Sequence, residues 1–97
     1  MTRRLVISQA AERDLDEILA FIAQDKPGAA MRFVSRLRSR CTPLARQPFV
    51  GEDCSLLLPR MRRVTFEGYL IFFRVDRDAA VIVRVIHGAR DWQAVFE

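Results

Sequence analysis

The chain has 97 residues, 51% of them apolar, with 16 basic and 12 acidic side chains and a formal net charge of +4. A chain of this length makes one domain, 1–97, that buries roughly 60–65% of its unfolded surface and folds with little stability to spare. Its apolar content and freedom from low-complexity runs exclude a disordered chain. All the basic residues are arginine except Lys26. Arginine suits bidentate contact with carboxylates and phosphates, so nucleic acid and acidic proteins are the natural partner classes. A G+C-rich genome would give the same arginine bias.

Met1-Thr2-Arg3-Arg4 is basic, but the apolar run behind it is only Leu5-Val6-Ile7. That is too short for a secretory leader, and no segment reaches membrane-span length, so we expect a cytoplasmic protein. Arg3 to Ile7 reads as a short strand. Ser8 is an expected N-cap, with Glu12 and Asp14 where the helix dipole favours acids. Ala11, Leu15, Ile18, Leu19 and Ile22 recur at helical spacing, against Glu12, Arg13, Asp16 and Glu17, so the first helix is predicted over 9–24. Asp25-Lys26-Pro27-Gly28 breaks it, with Asp25 placed to cap a second helix and Pro27 tolerated in its first turn. That helix carries Ala30, Phe33, Val34, Leu37, Cys41 and Leu44 on one face and Arg32, Arg36 and Arg40 on another. The short link makes the pair an antiparallel hairpin. Pro43 either ends the second helix near Thr42 or kinks its last turn.

Residues 47–59 read as irregular, punctuated by Pro48, Gly51 and Pro59. Cys41 and Cys54 fit no metal-binding spacing, and with one histidine in the chain we expect reduced thiols and no metal ligand set. Three strands follow: Met61 to Phe66, Tyr69 to Val75, and Ala80 to His87. Glu67-Gly68 is a two-residue hairpin turn. If Phe66 pairs with Tyr69, then Val64, Phe66, Tyr69, Ile71, Phe73 and Val75 share the core face. Arg63, Thr65, Leu70, Phe72 and Arg74 share the other, a candidate partner surface unless the C-terminal tail folds over it. The last strand is apolar on both faces, as a central strand is.

His87 is the one residue whose ordinary pKa suits a general base. It ends a strand beside Arg90 and Asp91, without a nucleophile or metal cluster in sequence. Catalysis requires several convergent groups, so we assign no catalytic residue and no cofactor.

The order of these pieces resembles a known family. "AERDLDEILAFIA" is similar to the helix "A..DL.EI..YI" of ParE toxins, a branch of the RelE/ParE superfamily of toxin–antitoxin systems. "DKPGAAMRFVSRLRSRC" matches the family's turn into its second helix. "QPFVGEDCSLLLPRMRRVTFEGYLIFFRV" is similar to "P..G.....L..G.R......Y.I.YRV", with Phe73 at the family's tyrosine, and "IVRVIHGARD" matches its closing strand. The resemblance implies an α+β fold, β-α-α-β-β-β, with the helix hairpin on a mainly antiparallel sheet and a short tail. It also implies a cognate antitoxin, with DNA gyrase as the target and no nuclease chemistry. The related RelE branch cuts ribosome-bound mRNA, often with a tyrosine late in the chain. Here that tyrosine is absent and the tail carries Trp92 and Phe96, although Arg62, Arg63, Arg74 and Arg84 could meet RNA. A family member that only binds antitoxin is the other alternative. On this reading Arg63, Leu70, Phe72 and Arg74 are the expected antitoxin contacts. His87, Arg90, Trp92 and Phe96 are the expected target contacts. Direct nucleic-acid binding without antitoxin is not expected, and Gly88 is expected to give the backbone freedom to leave the strand.

Overall fold

The computed structural model describes residues 3–47 and 49–97. The expected break at Pro48 lies outside them, as do Met1 and Thr2. Strand β1 (Arg4–Ile7) leads into helices α1 (Gln9–Ala23) and α2 (Pro27–Cys41), then β2 (Glu52–Asp53), β3 (Met61–Phe66), β4 (Tyr69–Val75) and β5 (Ala79–His87). The sheet order is β1-β5-β4-β3-β2. β1 runs parallel to β5 and every other pair is antiparallel. This is the expected α+β architecture, with β2 as an added short edge strand. No helix among the described residues is long and apolar enough to cross a membrane.

Local chemistry sets most boundaries. Ser8 caps α1, its Oγ accepting from Ala11 N at 3.0 Å while donating to Val83 O at 2.9 Å. Helix start and central strand are thereby tied by one hydroxyl. The N-cap of α2 is Lys26, and no side chain caps it. Asp25 does not do so, and Pro27 at the first position removes one of the N–H groups a cap would serve. α2 ends at Cys41 and tightens into a 3-10 turn, Thr42–Ala45, because Pro43 cannot continue the α-helical bonding. Glu67 and Gly68 take φ of 47° and 89°. Two positive φ values give the turn whose twist matches a β-hairpin, and they fix Phe66 opposite Tyr69.

That register produces two apolar layers. On the helix side Leu15, Leu37, Leu44, Ile71, Phe73 and Ile82 are fully buried. On the other side Met61, Leu70, Phe72 and Ile86 are buried beneath a 3-10 tail, Trp92–Phe96. The facing of β3 and β4 is as predicted, but the second face is covered. Leu70 and Phe72 do not form an open surface, because the Trp92 and Phe96 rings stack against Phe72 at 5.5 and 4.8 Å between centroids. The loop before β3 is held by Arg62, which donates to Val50 O, Phe49 O and Gly51 O at 3.0 Å each. Cys41 is a packing residue: burial pushes its thiol up to about 11, out of the reactive range.

Candidate functional site

An open groove of about 470 Å³ runs between α1 and the ends of β4 and β5. Asp14, Glu17, Ile18 and Phe21 supply one wall, at the three- and four-residue steps of a single helix face. Tyr69, Val85, His87 and Arg90 supply the other. Phe21 is 70% exposed at the rim. Such a phenyl ring beside charged groups suits an amphipathic partner.

One of the lining groups, Asp14, is held in an ion pair with Arg84. Asp14, the only buried charged residue among the described residues, accepts from Arg84 Nε and Arg84 NH2, both at 2.8 Å, and from Val85 N at 2.8 Å. The bond to Asp14 holds the Arg84 guanidinium above its already high pKa. β5 needs this partner because β1 ends opposite Ile82, leaving later strand groups without a neighbour on that side. An extra residue on β5 between the partners of Phe73 and Phe72 breaks the alternation there. Arg84, although paired with Phe72 of the tail face, turns its side chain to α1 at this irregularity.

At the mouth, Tyr69 and His87 are cross-strand partners and their rings meet edge to face, with centroids 4.9 Å apart. Phe33 backs Tyr69 at 5.5 Å, and burial raises the Tyr69 hydroxyl's pKa, keeping it a protonated donor. Ala89 N donates to His87 Nδ1 at 3.0 Å. That bond takes up the acceptor nitrogen of the neutral ring and leaves Nε2 carrying the proton. In this tautomer His87 donates at Nε2, which is the wrong arrangement for a base. Gly88 is not at positive φ. Space favours glycine there: Gly88 N donates to Gly68 O at 2.8 Å, and a Cβ at residue 88 would stand 3.2 Å from that oxygen, which would have to give by a few tenths of an ångström.

The expected target residues do not form one surface. His87 and Arg90 share this groove, whereas Trp92 and Phe96 lie across the sheet on Phe72. The expected antitoxin residues are likewise committed. Arg63 lies over the Trp92 ring at 4.7 Å and pairs with Glu52, and Arg74 pairs with Asp76 at 3.3 Å. Phe21 and the Asp14–Arg84 pair were missed. The pair had a signal: an acid inside the apolar stripe of α1 and one arginine inside "VIVRVI".

Fold and groove define a small α+β domain, two helices packed on a mixed sheet, with an amphipathic cleft. The sequence pattern of the family described as ParE toxin of type II toxin-antitoxin system, parDE, matches residues 5–92. The chain belongs to this family, within the RelE/ParE superfamily. It is 32% identical over 93 residues to the putative toxin Y4kP of Sinorhizobium fredii, covering 96% of each chain. It is 28% identical to toxin ParE1 of Mycobacterium tuberculosis, covering 94% of this chain and 95% of that one. Among solved structures it superposes on a chain of the chromosomal ParDE TA system from P. aeruginosa with a TM-score of 0.79 at 23% identity, over 89% of this chain and 96% of that one. A chain of the M. tuberculosis toxin-antitoxin complex RelBE2 gives 0.64 at 19% identity, over 90% and 99%. At these identities the structural matches speak for the fold.

Proposed function

We propose that this chain inhibits DNA gyrase and is neutralised by direct binding of a cognate antitoxin. The observation that carries the reading is the ParE family match over residues 5–92. Both superposed structures are described as toxin–antitoxin assemblies, which supports the antitoxin partner. The absent late tyrosine and the contact of Ala89 N with His87 Nδ1, which occupies one nitrogen of the single histidine, weigh against the RelE-type ribonuclease alternative. The antitoxin segment lies in the groove, its apolar side on Ile18 and Phe21 and an acidic group near Arg90. It then covers His87 and Arg90, the expected target contacts, and neutralisation is competition for one surface. Contacts at Leu70 and Phe72 would require the tail to lift.

The test adds purified protein to supercoiling reactions with gyrase and to a translating extract read for mRNA cleavage. Inhibition of supercoiling that is relieved by the antitoxin supports the reading. Cleavage of ribosome-bound mRNA with gyrase unaffected replaces it with the RelE-type alternative.

A further inference from the structure

The helix hairpin is electrically divided. Residues 9–25 carry five acidic side chains and one basic, whereas residues 26–46 carry six basic and no acidic ones. Of those six, two are matched inside the molecule: Arg36 with Glu67 at 2.8 Å and Arg38 with Glu12 at 2.7 Å. Lys26, Arg32, Arg40 and Arg46 make no ion pair among the described residues. Arg32, Ser35, Arg36, Ser39 and Arg40 follow three- and four-residue steps and so share one face of α2. Arg40 is half-buried and the other four are exposed. The Arg36 guanidinium lies over the rings of Phe33 and Phe66, at 5.3 and 5.9 Å from their centroids. That stacking fixes its plane before any ligand arrives.

We propose that this face of α2 binds the phosphate backbone of duplex DNA. Three arginines spaced about 6 Å apart along the helix axis span roughly 12 Å, a length over which one DNA strand presents three to four phosphates. The serines between them are small, so the backbone can come close, and their hydroxyls are ordinary phosphate donors. The chemistry favours nucleic acid over an acidic protein. A protein interface is anchored by exposed aromatic or aliphatic groups at its centre, and here the rings of Phe33 and Phe66 lie beneath Arg36, which leaves Met31, beside Arg32, as the large hydrophobic of α2 exposed among the described residues. Such contacts are indifferent to base sequence. The proposal departs from the sequence-based expectation of no direct nucleic-acid contact, because the missing acidic residues of α2 matter more than the net charge of the chain.

The experiment follows fluorescence anisotropy of a labelled 25-base-pair duplex with the full chain, across potassium chloride concentrations. Three phosphate contacts give a slope of log K against log salt near −2.7, so raising salt fourfold weakens binding about 40-fold. R32Q/R40Q removes two cations that hold no ion pair, and circular dichroism checks its fold. The expected result is a slope near −1 and binding at least tenfold weaker at low salt. The proposal is overturned if wild type does not bind the duplex at low salt, if the folded variant keeps the wild-type slope, or if polyglutamate of equal charge binds as tightly as DNA. None of these readouts involves gyrase or antitoxin, so the proposed function stands or falls separately.

Discussion

At the scale of single residues, His87 and Asp14 sit in one groove under opposite constraints. His87 is exposed, and its Nδ1 is occupied by Ala89 N–H. We expect His87→Gln to leave growth inhibition largely intact, because the glutamine amide can still donate into the groove. A loss of orders of magnitude, at unchanged melting temperature and antitoxin affinity, would restore the catalytic reading. Asp14 and Arg84 matter for stability instead. Breaking a buried pair costs about 3–5 kcal/mol when the orphaned charge cannot reach water. The Asp14 side chain is 7% exposed and that of Arg84 is 29% exposed. Arg84→Met strands the less solvated charge and should fall in that range. Asp14→Asn strands the better solvated one, and the amide oxygen can still accept from Val85 N, so it should cost less. Urea unfolding of both variants tests the order, and a reversed order would mean that the asparagine amide does not keep the bond from Val85 N.

At the scale of elements, what could be read in the sequence was what is encoded locally. Ser8 as a cap, the 3.6-residue stripes of both helices, and Glu67-Gly68 as a turn depend on neighbours within a few positions. The tail, the pairing of Glu52-Asp53 with Arg62-Arg63 and the extra residue on β5 depend on partners far along the chain. Groove residues were hidden for the same reason: Phe21 and His87 stand 66 positions apart and meet only through packing. The tail illustrates the energetics. None of its residues is buried, yet it leaves Phe72 with no exposure. It is held on the sheet by rings and by Arg63, with no strand pairing among the described residues. Ending the chain after Asp91 should uncover Leu70 and Phe72, each worth about 1.5–3 kcal/mol when fully exposed. We expect a lower urea midpoint, new binding of an apolar dye, and antitoxin affinity within a few-fold of wild type. If truncation abolishes antitoxin binding while the fold survives, the antitoxin contacts belong on the tail side of the sheet, as the sequence first suggested.

For the molecule as a whole, the two sides of the sheet are closed in different ways, and this decides where a partner can add stability. The tail side is sealed by the chain's own aromatics. The helix side keeps an open groove with Phe21 at its rim. A domain this small has little reserve, so a partner that binds only the folded state raises its apparent stability by mass action. With free antitoxin at 100 times Kd the gain is about 2.7 kcal/mol. For a domain near 100 residues that is a rise in Tm of roughly 10–20 °C. Phe21→Ser removes a ring already 70% in water, so the free protein should melt within a few degrees of wild type. In the complex that ring would be buried, and its loss should cost about 1.5–3 kcal/mol of binding. Most of the antitoxin-induced rise should vanish in this variant at the same antitoxin concentration. Scanning calorimetry of both proteins, with and without antitoxin, gives the four temperatures required. An equal rise in wild type and variant would place the antitoxin outside the groove, and the competition mechanism for neutralisation would fall with it.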